Sequence, residues 1–315
     1  MLRLLLLFAL LLSAASPLQA QTVGHADAVL QAKLDSLVAH HNGPNQAFDG
    51  RVGFYVRHLR TGQTAATLAD TLFPTASTIK VPIVATIWDA IDKGELDYTQ
   101  TLIYRDSLAL PVDPVSGGDL AAELMDSTRI GLDKAMMLAI TTSDNTASLW
   151  LQGMVTGERI NEGLSAHGFE GTRMNSRTEG RRGDWERYGW GQTTPREMAE
   201  LFVMIRNGEV VSPGASEEFY RMLTRIYWND EALSMLPPWV QAASKQGAVS
   251  KSRSEVVLVN APHGDYVFSV YTSGQADTSW QGDNAGYRML RDVSSVLWRY
   301  FEPDSDWTPP SGTRY

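Results

Sequence analysis

The chain has 315 residues, 43% of them hydrophobic and 20% charged, and a formal net charge of −9. That composition suits a globular protein with a sizeable core, and an acidic chain without a basic stripe argues against a nucleic-acid partner. Cysteine is absent, which excludes disulfides, thiolate catalysis, a cysteine zinc site and lipid attachment at a cleavage-site cysteine.

Residues 1–20 read as a secretory signal: a basic start at Arg3, a leucine-rich run from Leu4 to Leu12, then small and polar residues with cleavage expected after Ala20. The apolar run is too short to span a bilayer. An exported, disulfide-free chain fits a bacterial periplasmic or secreted protein. Asp27 to His41 carries apolar residues at helical spacing, at Val29, Leu30, Leu34, Leu37 and Val38. His40-His41 is the one histidine pair, and adjacent helical residues point in different directions, so no metal is expected. The segments "GRVGFYVRHL", "RTGQ" and "TAATLAD" read as strand, turn and strand. From Ser77 the period turns helical, with Ile79, Ile83, Ile87 and Ile91 every fourth residue and Gly94 as a stop.

Residues 95–130 are mixed, with "DPVSGGD" as a loop. "IGLDKAMMLAI", "NTASLWLQ" and "GERINEGLSAHG" read as helices, and Met174 to Thr194, rich in Gly, Arg and Trp, reads as one long aperiodic loop. Ordered loops of that length are often functional. "TPREMAELFVMIRNG" and "ASEEFYRMLTRIYW" are helical. "AASKQGAV", "SEVVLVNAP" and "GDYVFSVYTSG" are strands, with "HGD" turning between the last two, and Asn284 to Phe301 is a closing helix. Strands from both ends can pair in one antiparallel sheet flanked by the terminal helices, with an all-α lobe inserted between them: an α/β (α+β layer) fold. The sheet lobe would take about 21–76 and 226–302, the helical lobe about 77–225, and 303–315 would be a tail.

Three short stretches could carry chemistry. Ser77 and Lys80 lie three apart and share a helix face. A serine hydroxyl needs a base before it can attack, and a desolvated lysine can be that base; the alternative is an N-cap beside a solvated lysine. "TTSDNT" sets Ser143, Asp144 and Asn145 between two helical segments, where a cap is the plain alternative. "SKQGAVS" puts Lys245 two residues before Gly247 on an edge strand, offering a cation and an approachable backbone, or merely an exposed lysine.

In this order, S-x-x-K, S-D-N and K-x-G are far rarer together than singly, and the set resembles that of the class A β-lactamases and penicillin-binding proteins. "FPTASTIKVPI", "AITTSDNTAS" and "TTPREMAELF" are similar to that family, and the resemblance spans about residues 25–300. It implies Ser77 as the acylated nucleophile, Lys80 as proton acceptor and relay, and Ser143 as proton donor to the leaving nitrogen. Asn145 would hold the substrate amide and Lys245 would face its carboxylate. The N–H groups of Ser77 and Ala248 would form the oxyanion hole beside Gly247, and Arg253 would stand in for a family arginine. "SRTEG" resembles the family's arginine–x–glutamate and puts the deacylating role on Glu179, sixteen residues before Pro195, with Glu186 a rival.

The chain departs from the family at Gln246, where a threonine is usual, and at Gly183, where an asparagine is usual; no aspartate lies near Gly191 to close the loop. The resemblance implies a monomeric enzyme without cofactor, acting on a small β-lactam or peptidoglycan-derived molecule. A D,D-peptidase or esterase of the same acylation chemistry is the second expectation. A non-catalytic wall-binding or sensor module is the third, and intact Ser77, Lys80 and Ser143 count against it.

Overall fold

The computed structural model describes residues 24–43, 48–110 and 119–309; the expected signal and the last residues of the tail lie outside them. In chain order the elements are β1 (His25–Ala26), α1 (Ala28–His41), β2 (Arg51–His58), β3 (Gln63–Thr67), β4 (Phe73–Pro74), a 3₁₀ turn (Ala76–Ile79) and α2 (Lys80–Asp92). There follow β5 (Thr101–Ile103), β6 (Arg129–Gly131), α3 (Leu132–Met137), a π-helical turn (Leu138–Thr142), α4 (Asn145–Val155), α5 (Gly157–Ala166) and β7 (Arg173–Met174). Next come α6 (Arg182–Tyr188), β8 (Gly191–Thr193), α7 (Pro195–Asn207) and α8 (Pro213–Leu223), then β9 (Ala242–Val249), β10 (Ser252–Val259), β11 (Tyr266–Ser273) and α9 (Ala285–Phe301).

Six strands form one sheet in the order β1-β3-β2-β11-β10-β9, antiparallel except for the short β1–β3 pair. The strand period of two divides its residues between two cores. Val257 and Val259 of β10 pack with Leu30 and Leu34 of α1 and Met289, Val293 and Leu297 of α9. Val256 and Leu258 pack on the other face with Ile83 and Ile87 of α2, Leu151 of α4 and Phe202 of α7. The strands therefore read as nearly continuous apolar runs because both faces are covered. Helix α9 buries a stripe at four-residue spacing from Met289 to Phe301. Helix α7 starts on a Thr194 side-chain cap with Pro195 at its first position and stops at the left-handed Gly208.

Two expectations need correction. The segment from Met174 to Thr194 is not one aperiodic loop: it contains β7, α6 and β8, and β4, β8 and β7 pair as a small second sheet. The strands are two or three residues long, too short to show a period, and α6 buries no residue, so it lacks an apolar stripe. The helix expected to start at Ser77 starts instead at Lys80, and Ser77 sits on the tighter turn before it.

Leu151 is wholly buried on α4, the helix that carries the S-D-N residues, within the core it shares with α2. Leu151→Ala is expected to lower stability by about 2–5 kcal/mol through lost burial and the cavity left behind. The check is a lower urea midpoint at unchanged slope.

Candidate active site

The turn bearing Ser77 is held in an uncommon conformation. Ala76 before it has a positive φ of 45°, a left-handed backbone that an alanine adopts at a cost of about 1–2 kcal/mol. The turn is fastened below by Thr78 Oγ1, which donates to the Thr75 carbonyl at 2.8 Å and pairs with the Tyr271 hydroxyl at 3.0 Å. Strand β9 passes beside it. A β-carbon added to Gly247 would lie 2.8 Å from the Thr75 carbonyl oxygen and 2.9 Å from the Ser77 amide nitrogen, so only glycine lets the two backbones approach this closely.

Lys80 opens α2 and is fully buried. Its Nζ donates to Asn145 Oδ1 at 2.7 Å, to Ser143 Oγ at 3.2 Å and to the Ser143 carbonyl. Burial pulls its ammonium down to about 7, against the opposing influence of the Asp119 and Asp144 carboxylates. The Trp190 ring stands 5.3 Å from Nζ, and its indole N–H donates to Gln152 Oε1 at 3.3 Å. The resulting Lys80 is a base poised near neutrality.

Ser143 caps the π-helical turn with φ at +60°, and this left-handed kink lets its carbonyl and its hydroxyl both face Lys80. Asp144 accepts from the Ala147 and Ala121 amides at 2.7 and 2.8 Å, and burial raises its carboxyl above the usual range. Asp119 accepts from the Asn145 and Thr146 amides at 2.9 and 2.8 Å, anchoring the start of α4. Lys245, also fully buried, donates to Ser143 Oγ at 3.0 Å from the sheet side. Ser143 therefore joins both lysines, and the helical lobe meets the sheet at this hydroxyl.

Lys80, Ser143, Asn145 and Lys245 form one hydrogen-bonded group, beside the close packing of Gly247 against the Ser77 turn. Ala248 follows on β9, paired across the ladder with Arg253. The Arg253 side chain has other partners. It lies between the Trp280 and Tyr287 rings, at 4.8 and 4.6 Å, and donates to the carbonyls of Val249, Ser252 and Ser279.

The two loop glutamates are not brought into the group. Glu179 is exposed, and its N–H donates to Glu158 at the start of α5. Glu186 is exposed on α6 and pairs with Arg182. The carboxylates acting on Lys80 are those of Asp119 and Asp144.

Trp190, Gln152 and Asp119 were missed in the sequence. A tryptophan in a glycine-rich segment and an aspartate after two glycines have no spacing that ties them to Ser77. Tyr227 and Trp228, exposed at 69% and 39%, were missed as well. The Tyr227 amide and the Trp228 indole donate to the carbonyls of Thr141 and Thr142, which puts this pair beside Ser143.

The profile of the beta-lactamase enzyme family matches residues 30–301, and the chain belongs to that family. Beta-lactamase VEB-1 of Pseudomonas aeruginosa is 21% identical over 281 residues, covering 86% of this chain and 92% of that protein. Among solved structures, a mutant of PBP-A in an acyl-enzyme complex with penicillin G is similar at a TM-score of 0.76 and 24% identity, over 90% of this chain and 99% of that one. A beta-lactamase from Sphaerobacter thermophilus DSM 20745 reaches 0.75 at 22% identity, over 86% and 97%. At these identities the structures speak for the fold.

Gly247→Ala is expected to push β9 away from the Ser77 turn. A displacement of this kind costs about 10²-fold in a positioned reaction. Single-turnover acylation by a fluorescent penicillin, compared with the parent, is the measurement.

Proposed function

We propose that the chain is a serine hydrolase that opens β-lactam amides through an acyl-enzyme on Ser77. The observation that carries this reading is Lys80: buried, near-neutral and bonded to Ser143 and Asn145, one helical turn after Ser77. Neutral Lys80 accepts the Ser77 hydroxyl proton, and Ser77 Oγ bonds to the lactam carbonyl carbon. The N–H groups of Ser77 and Ala248 take the developing oxyanion. As the C–N bond breaks, Ser143 gives its proton to the leaving nitrogen and is resupplied along its hydrogen bonds to the lysines. Water then cleaves the ester and frees Ser77. Asn145 orients the substrate amide. Residues 1–20 direct export to the periplasm or medium, and the cleft between the sheet lobe and the helical lobe receives the substrate.

A second reading has a specific observation behind it. The Trp190 ring, rather than a loop carboxylate, stands against Lys80, and Glu179 and Glu186 are exposed. With neither loop glutamate brought to Lys80 among the described residues, the acyl-enzyme would clear slowly, as suits a D,D-peptidase or penicillin-binding enzyme.

Intact-mass spectra with benzylpenicillin separate these readings. A Ser77-dependent adduct that decays within the assay supports the β-lactamase reading, and one that persists supports the peptidase reading. Absence of any adduct, or an equal adduct on Ser77→Ala, would falsify both.

The acylation rate has a defined pH dependence. Lys80 must be neutral to accept a proton, and its ammonium titrates at about 7. The rate constant should rise with pH below that value and level off above it. Lys80→Ala should lower the plateau about 10²–10⁴-fold and remove this limb, as stopped-flow acylation would report.

A further inference from the structure

The segment between α8 and β9 joins the two lobes at the Ser143 end of the cleft. The Tyr227 amide donates to the Thr141 carbonyl at 2.9 Å, on the helical side. Further along, the Ala232 amide donates to Glu255 of β10 at 2.8 Å, on the sheet side. The stretch from Tyr227 to Ala232 is thus tied down at both ends.

Two aromatic side chains stand out from it. Tyr227 is 69% exposed and Trp228 is 39% exposed. Single exposed apolar side chains are ordinary on a protein surface. These two are neighbours whose rings meet edge to face, with centroids 5.2 Å apart. The Trp228 indole N–H donates to the Thr142 carbonyl at 2.8 Å, which fixes its ring. A ring already held in place loses little freedom when a ligand lies against it.

The position of the pair says which part of a ligand would meet it. Thr142 directly precedes Ser143, so the indole edge is anchored one residue from the hydroxyl that protonates the leaving group in the mechanism above. The buried amines of Lys80 and Lys245 take the inner side of that hydroxyl. The aromatic pair stands toward solvent, where the leaving half of an acyl donor departs.

We propose that Tyr227 and Trp228 form a subsite for the leaving portion of the acyl donor, and that it favours donors whose leaving ring carries a flat unsaturated or aromatic substituent. Such a face gains apolar burial and an aromatic contact beside the proton donor. A leaving alanine offers no such face. The subsite rests on the acyl-transfer reading given above, because that reading makes Ser143 the donor to the leaving group. Its effect is a difference in acylation between donors that share one acyl half.

Two cephalosporins with the same acyl side chain, one bearing a methyl and the other a styryl on the leaving ring, isolate that face. The ratio of their second-order acylation constants, styryl over methyl, should fall about threefold to tenfold in Trp228→Ala and in Tyr227→Ala. Trp228→Phe keeps a ring but loses the anchoring N–H, and should lose less of the ratio than Trp228→Ala. A parental ratio in the alanine variants would overturn the proposal, even where both constants fall together, since the rings would then only brace Thr141 and Thr142. Tyr227→Ala alters the more exposed residue and decides the matter if Trp228→Ala shows no thermal transition.

A second measurement needs no turnover. In Ser77→Ala the two compounds bind without reacting. Titration should find the styryl compound bound more tightly, by a margin that Trp228→Ala on the same background removes. If the parent acylates with neither compound, this margin decides: its presence refutes the acyl-transfer reading and keeps the subsite, and its absence overturns both.

Discussion

The complete burial of the Lys80 side chain is the constraint around which the site is arranged. An ammonium withdrawn from water loses hydration that must be replaced by oriented oxygens, or the group gives up its proton. The structure does some of each. Oxygens of Ser143 and Asn145 meet the amine, and Asp119 and Asp144 stabilise its charge, yet desolvation still wins and brings the group to about 7. A better-paired lysine would stay protonated at neutral pH and could not accept the Ser77 proton.

That requirement accounts for the irregular backbone on the helical side. Ser143 can present both oxygens to Lys80 because the chain leaves the π-helical turn in a left-handed conformation. The start of α4 is then held by two aspartates: Asp144 caps the helix from within, and Asp119 reaches its first amides from a distant loop. On the sheet side the equivalent device is a missing side chain, at Gly247, which allows β9 to touch the Ser77 turn. Strain and close approach are tolerated because the surrounding elements are wholly packed.

The two buried lysines are solved differently. Lys80 is met by oxygens from one helical segment and by the face of Trp190. Lys245 is enclosed by Ser143 and by both oxygens of Gln246. Ser143 bonds to both, so a proton gained or lost at either lysine is felt at the hydroxyl between them.

The order of the main elements and the three short motifs were legible in the sequence, because each is written in local spacing. Ile83 and Ile87 mark a helix face, and Val256 to Val259 mark a strand, whose burial on both sides the structure adds. The small sheet of β4, β8 and β7 was not legible, since strands of two or three residues exist only through their partners. Nor was the company that each functional group keeps. Glu179 has the local sequence of a catalytic loop residue, but the fold leaves it in solvent and sets Trp190 against Lys80. Glu255 carries no motif, and only the packing of β9, β10 and the segment after α8 brings its carboxylate to Ser244 and the Ala232 amide. The sequence by itself determined which chemical groups are present and in what order. Tertiary structure decided which lose their water and which face one another, because desolvation and charge coupling depend on distance in space.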